Sequence, residues 1–166
     1  MFDAQPHLTG ERIELRPVRE DDFAALAAAA SDPAIWEQHP ADRHREDVFR
    51  AFFAEHLASG GALVVLDRQT GEVIGTSRYR GYDAERSEVE IGYTFLARAF
   101  WGGTTNGELK ALMLGHAFRF VDTVVFLTHP DNLRSQRSVE KLGAVRIGER
   151  VDGGGNPSYA YALART

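Results

Sequence analysis

The stretch EVEIGYTFLARAFWGGTTNGELKALMLGHAFRF, Glu88–Phe120, changes its period half-way along. From Glu88 to Leu96 apolar residues alternate with polar ones, the period of a strand. Beyond the glycines, Leu109, Leu112, Met113, His116, Ala117 and Phe120 fall at i, i+3, i+4, i+7, i+8 and i+11, the stripe of an amphipathic helix. Between them lies Phe100-Trp101-Gly102-Gly103-Thr104-Thr105-Asn106-Gly107-Glu108. Glycines let a backbone turn sharply and approach a ligand closely. The free N–H groups of a helix's first turn, with their partial positive charge, then make an anion site. A pyrophosphate suits this place, with Thr104, Thr105 and Asn106 as further donors. The competing reading is an ordinary strand-to-helix loop capped by Thr105 or Asn106.

Upstream, Arg12–Val18 alternates Ile13 and Leu15 against Arg12, Glu14 and Arg16, a half-exposed strand ending at Pro17. Asp21 and Asp22 are expected to cap an Ala-rich helix to about Ala30, stopped by Ser31-Asp32-Pro33. A second helix is predicted over Arg45–Ala58, with Val48, Phe49, Phe52, Phe53 and Leu57 on one face. Ala62–Asp67, Glu72–Tyr82 and Glu88–Leu96 read as antiparallel neighbours joined by tight turns. Downstream, Thr123–Thr128 is a β-branched run and reads as a buried strand. Asn132 is placed to cap a helix ending near Leu142, and Gly143 to terminate it. Val145–Val151 and Tyr159–Leu163 close the chain as strands around a flexible loop, Asp152–Pro157. The order predicts one domain over 1–166: a mixed sheet of the α/β (α+β) class with helices on both faces.

Composition narrows the function. Basic residues number 19 against 24 acidic, a net charge of −5, whereas a duplex binder needs an excess of cations to neutralise phosphates. No nucleic-acid partner is therefore expected. The longest apolar run, Phe23–Ala30, is far too short to span a bilayer, so no membrane partner is expected either. With no charged-then-apolar leader, the chain reads as soluble and cytoplasmic. The absence of cysteine removes disulfides, thiolate nucleophiles and Cys-based zinc sites. The histidines at 7, 39, 44, 56, 116 and 129 show no metal-ligand spacing, so no metal is expected.

The run Asn132-Leu133-Arg134-Ser135-Gln136-Arg137-Ser138-Val139-Glu140-Lys141-Leu142-Gly143 carries the second signal. Helical spacing puts Asn132, Ser135 and Val139 on one side near the helix start, where open α/β sheets place ligands. Singly, Asn132 is a routine cap and Ser135 a routine helix serine. The ordered set is more specific: Leu15-Arg16-Pro17 with Asp21-Asp22, then Glu90-Ile91-Gly92-Tyr93, then Trp101-Gly102 with Glu108, then Asn132-x-x-Ser135 through Gly143. In this order the chain resembles the GNAT superfamily of N-acetyltransferases, nearest to the RimJ/RimL-like branch that acetylates ribosomal-protein amino termini.

The resemblance implies a splayed central sheet into which acyl-CoA enters. The backbone of Phe95, Leu96 and Ala97 would pair with the pantetheine arm. The loop from Gly102 through Gly103, Thr104, Thr105 and Asn106 to Gly107 would hold the pyrophosphate. Asn132 would hydrogen-bond the pantetheine end, and Ser135 would face the thioester sulfur. Arg134 or Arg137 would touch the nucleotide phosphate or else stand as solvated charges. Three positions depart from the family pattern. Ala99 and Thr104 stand where the loop usually has Gln/Arg and Gly, with Arg98 one place off. Val139 stands where many relatives carry the tyrosine that protonates the leaving thiolate.

Acetyl transfer to an amine needs an ammonium proton removed, and a carboxylate acting through water suffices for an α-amino group of pKa about 7.7–8.0. Glu90, beside the splay, is the candidate base, with Glu88 as substitute; both also fit a solvated strand face. The backbone N–H near Tyr93 or Thr94 is the candidate polariser of the thioester carbonyl. Acceptor selection is assigned to Ile35–Pro40, with Trp36 and His39, and to Gly153–Asn156, with Tyr93 nearby. The expected activity is direct transfer of acetyl from acetyl-CoA to a primary amine, a protein N-terminus or a small molecule. The alternative is a non-catalytic acyl-CoA sensor on the same fold. A homodimer is left open.

Overall fold

Alternation at β2 (Ile13–Pro17) turns Ile13 and Leu15 inward, and this strand pairs antiparallel with β3 (Ala62–Asp67) along its whole length. In the computed structural model, which describes residues 1–166, eight strands form one sheet in the order β1-β2-β3-β4-β5-β6-β8-β7. The predicted β3, β4 (Val73–Asp83) and β5 (Glu88–Leu96) are antiparallel neighbours, as their turns required. β1 (Leu8–Thr9) is a strand too short for periodicity to reveal. β6 (Thr123–Thr128) lies between β5 and β8 (Pro157–Ala164), and β7 (Val145–Val151) forms the far edge with Val145, Ile147 and Val151 exposed.

Both sheet faces are covered. On one, α3 (Thr105–Ala117) buries Leu109, Met113 and Ala117 against Leu15, Val65, Ile91 and Val124, and Val139 of α4 (Leu133–Lys141) joins the same cluster. On the other, α1 (Phe23–Ala29) and α2 (Glu46–Ala58) bury Leu26, Phe49, Phe52 and Phe53 against Val64 and Phe95. Successive β3 residues thus feed opposite clusters, Leu63 and Val65 one, Ala62 and Val64 the other. No helix is long and apolar enough to cross a membrane.

Asp22 corrects the capping expectation. It turns inward, 5% exposed, and takes both guanidinium nitrogens of Arg16 at 2.9 and 2.8 Å and the Arg19 backbone N–H at 2.7 Å. Burial pushes its carboxyl up, but these donors outweigh it and hold the group below the usual carboxylate range. A buried carboxylate needs donors on every side, and Arg16 supplies charge that helix N–H groups alone would not. Glu108 does similar work for α3, accepting from the backbone N–H groups of Arg12 and Ile13 at 3.0 and 2.8 Å, which ties the helix to the start of β2.

The sheet opens at β5. Glu88, Val89 and Glu90 pair in parallel with Thr123, Val124 and Val125, and pairing ends there. β5 runs on to Leu96 bonded to β4 alone, while β6 runs on to Thr128 bonded to β8 alone. Within the open part Thr76 faces Phe95 and Arg78 faces Gly92, so Tyr93 and Thr94 together oppose Ser77. This is a β-bulge, and it puts Tyr93 at φ +55°, a conformation that costs a bulky residue about 1–3 kcal/mol.

Candidate active site

Glu90 is the last β5 residue paired with β6 before the strands part. Its side chain is 12% exposed and accepts from Arg80 Nη1 at 2.9 Å. Burial pushes the carboxyl above the ordinary range against the pull of Arg80, the direction a base working near neutral pH requires. Glu88 is held differently, by Arg150 of β7 at 3.0 Å. Arg80 and the Tyr93 hydroxyl both reach Gly153, where a Cβ would collide with that hydroxyl. The β7–β8 loop therefore closes over the Glu90 end of the strand, which brings one of the predicted acceptor segments to it.

The side expected to select the acceptor is lined by rings and cations. Tyr93 stacks with Phe52 and lies under the Arg78 guanidinium at 3.5 Å; Arg78 in turn donates to Glu55 at 2.8 Å. Arg43, which sequence reasoning assigned no role, lies 4.2 Å over Phe52, and burial lowers its pKa to about 10. His39 accepts the Ala41 backbone N–H at Nδ1, so its ring proton is on Nε2. Burial first, then Arg43, brings its pKa down to about 4, which keeps it neutral near pH 7. Trp36 is different from its expected role. It is 4% exposed, packs edge-on to Phe95, and gives its indole N–H to Ala30 O at 2.8 Å, so it is a core residue.

The α3 entrance keeps some predicted donors and loses others. Gly102 sits at φ +74°, and Gly102, Gly103 and Gly107 have no atom within 4 Å of where a Cβ would stand, so a ligand can come close to this backbone. No side chain caps α3, which leaves its first-turn N–H groups directed outward from Thr105 and its neighbours. Asn106 donates instead to Ser138 Oγ of α4 at 2.9 Å. Of the β5 backbone groups assigned to the pantetheine arm, Leu96 O accepts from the Trp101 indole at 3.0 Å and Ala97 N–H donates to Ile74 O at 2.8 Å.

At α4, Asn132 Oδ1 caps the Ser135 backbone N–H at 3.2 Å, and its amide NH2 makes no bond within the protein. Arg134 is no solvated charge: it donates to Ile35 O at 2.9 Å and lies 4.1 Å over the Trp101 ring. With Arg98 at 4.9 Å, two guanidinium groups flank that indole. Val139 is 4% exposed and buried in the core. Lys110, which no motif singled out, is 5% exposed and donates to Thr94 Oγ1 in the bulge at 2.8 Å. The available signal was its position three residues before Met113, within the buried stripe.

The family model described as an acetyltransferase (GNAT) domain matches residues 12–145. The chain belongs to the GNAT acetyltransferase family. As a GNAT enzyme it is an acetyltransferase, and its family takes the acetyl group from acetyl-CoA. It is 25% identical over 170 residues to the uncharacterized N-acetyltransferase p20 of Bacillus licheniformis, with 93% of this chain and 94% of that protein covered. A GCN5-related N-acetyltransferase from Brucella melitensis superposes with a TM-score of 0.84 at 17% identity, over 96% of this chain and 79% of that one. Mycobacterium smegmatis RimJ, in complex with CoA-disulfide, gives 0.76 at 18% identity, over 99% and 90%. At those identities the two structures show the shared fold.

Proposed function

We propose that residues 1–166 act as one catalytic domain that transfers acetyl from acetyl-CoA directly to a primary amine, a protein N-terminus or a small-molecule amine. The observation that carries this reading is the parting of β5 from β6 just beyond Glu90, with a bulge on one wall and the α4 N-terminus near it. The solved RimJ complex supports the choice of ligand, since that protein of the same fold holds a CoA derivative.

In this reading the first-turn N–H groups of α3 and the Gly102–Gly107 backbone hold the pyrophosphate, and the Asn132 amide donates to the pantetheine. The bulge N–H at Tyr93 or Thr94 polarises the thioester carbonyl. The amine loses its proton to Glu90, directly or through water, and its nitrogen attacks the carbonyl carbon. A C–N bond forms, the C–S bond breaks, and the second proton, shed by the cationic nitrogen, passes to the thiolate through the Ser135 hydroxyl or water. Val139 supplies no hydroxyl, and a thiolate of pKa about 8.5 is a good enough leaving group to tolerate that. With no cysteine in the chain, an acyl-cysteine intermediate has no place in the route.

The test is thiol release from acetyl-CoA with two acceptor panels, peptides with free N-termini against polyamines and aminoglycosides. Release on the peptide panel supports the RimJ/RimL-like assignment, and release on the other supports a small-molecule acceptor. Acetyl-CoA binding with no release on either panel overturns the catalytic reading in favour of an acyl-CoA sensor.

A further inference from the structure

The chain has two lysines, Lys110 and Lys141, and only Lys110 is buried. No carboxylate pairs with it. Its Nζ donates to Thr94 Oγ1 at 2.8 Å and lies 5.8 Å from the Phe126 ring of β6, so the amine stands beside the gap between the parted strands. Burial alone lowers its pKa to about 7. An amine desolvated without a counter-ion destabilises the fold, and a methionine of similar shape would not. Helix packing therefore gives no reason for a lysine here.

The hydrogen bonds beyond it have a direction. In its protonated form Lys110 only donates, so Thr94 Oγ1 accepts, and the Thr94 hydroxyl can in turn donate to Ser77 Oγ, 2.7 Å away. Ser77 then donates to Gly92 O at 3.4 Å. Gly92 O is the oxygen of the Gly92–Tyr93 peptide, and no peptide in the chain is cis. In a trans peptide the N–H points opposite to the C=O. Holding Gly92 O toward β4 thus aims the Tyr93 N–H away from β4, toward the side where β5 and β6 part. A cation at the head of such a chain also polarises each bond along it.

We propose that Lys110 is a positioning residue for acyl transfer, acting through Thr94 and Ser77 to fix the Gly92–Tyr93 peptide whose N–H faces the thioester carbonyl. This rests on the acyl-transfer reading above. It assigns a job to a residue outside the cofactor loop, the α4 cap and the candidate base.

The experiment compares wild type, Lys110→Met and Thr94→Val in three measurements: thermal midpoint, acetyl-CoA dissociation constant, and thiol release to amine or water. Lys110→Met is expected to fold with an equal or higher midpoint and bind acetyl-CoA within about twofold of wild type, yet release thiol at least about tenfold more slowly, through kcat rather than KM. Thr94→Val, which keeps the lysine and removes the hydroxyl, is expected to slow release in the same way. A merely structural lysine would move midpoint and rate together. Unchanged thiol release in Lys110→Met, or a loss that tracks acetyl-CoA affinity, overturns the proposal while leaving acyl transfer standing. Wild type that neither binds acetyl-CoA nor releases thiol overturns the reading beneath and this inference with it.

Discussion

The two edges of β5 are built from one strand and behave differently. Toward β4 the pairing runs from Asp83–Glu88 to Gly75–Leu96, interrupted by the bulge and one further irregularity. Toward β6 it covers only Glu88–Glu90. The closed edge is buttressed by polar contacts that face inward: His56 donates to Thr76 Oγ1 at 2.7 Å, and Thr76 donates on to Leu63 O. The open edge is left to the bulge, to Trp101 at Leu96 O, and to the start of α4. Ladder bonds on one side let the strand stay fixed while its other side is free for a ligand. The ladder that stabilises β5 and the gap proposed for the cofactor therefore lie on opposite edges, linked by the Ser77 contact to Gly92 O, and substitutions should separate their effects.

The largest effect belongs at the point where the edges diverge. Glu90→Gln keeps the shape and is expected to lower kcat by about 100-fold with the acetyl-CoA dissociation constant unchanged. Because burial raises the Glu90 pKa, the acid limb of kcat/KM in wild type should lie above the ordinary carboxylate range and vanish in the variant. Equal loss of rate and affinity would mean that Glu90 shapes the gap instead.

The next concerns the closed edge and stability alone. Burial, then Arg78 and Arg43, bring the His56 pKa to about 3, whereas in the unfolded chain it protonates near 6.5. The unfolded state thus binds the extra proton first, and stability falls as pH drops from about 6.5 toward 3. By pH 5 this amounts to about 2 kcal/mol. Thermal melts from pH 7 to 5 should show the fall, and His56→Gln should remove about half of it, because His39, lowered to about 4, contributes a similar share. A pH-independent midpoint in wild type would contradict the burial of a neutral His56 beside Arg78 and Arg43.

Two smaller effects test the open edge. Gly102→Val places a β-branched residue at φ +74° in the loop and should weaken acetyl-CoA binding roughly tenfold in calorimetry. Asn132→Ala should weaken it several-fold and remove about 1 kcal/mol of helix capping, seen as a lower thermal midpoint. If either variant instead altered only the midpoint, the open edge would be no more than a structural feature.

Local signals made most of the fold legible. Alternation found β2, strand-like runs between tight turns found β3, β4 and β5, the cap at Asn132 bonds the Ser135 N–H, and Gly143 takes φ +93°. Each of those depends on residues a few positions apart. The site was read less completely, because its polar groups are consumed by partners far away in sequence. Asn106 is taken by Ser138, and Arg134 by Ile35 O and the Trp101 ring. A helix wheel shows which face Asn106 occupies but not that α4 brings a serine to it. The bulge was equally hidden, since the positive φ falls on Tyr93 while a glycine stands next door at 92.

Calorimetric titration of acetyl-CoA into wild type and Asn132→Ala, at one stated salt concentration, tests most directly whether the gap between β5 and β6 is the cofactor's place. Wild type is expected to show one site per chain in the micromolar range, weakened several-fold by the substitution. No heat and no thermal shift in wild type, or an affinity that Asn132→Ala leaves untouched, would contradict it.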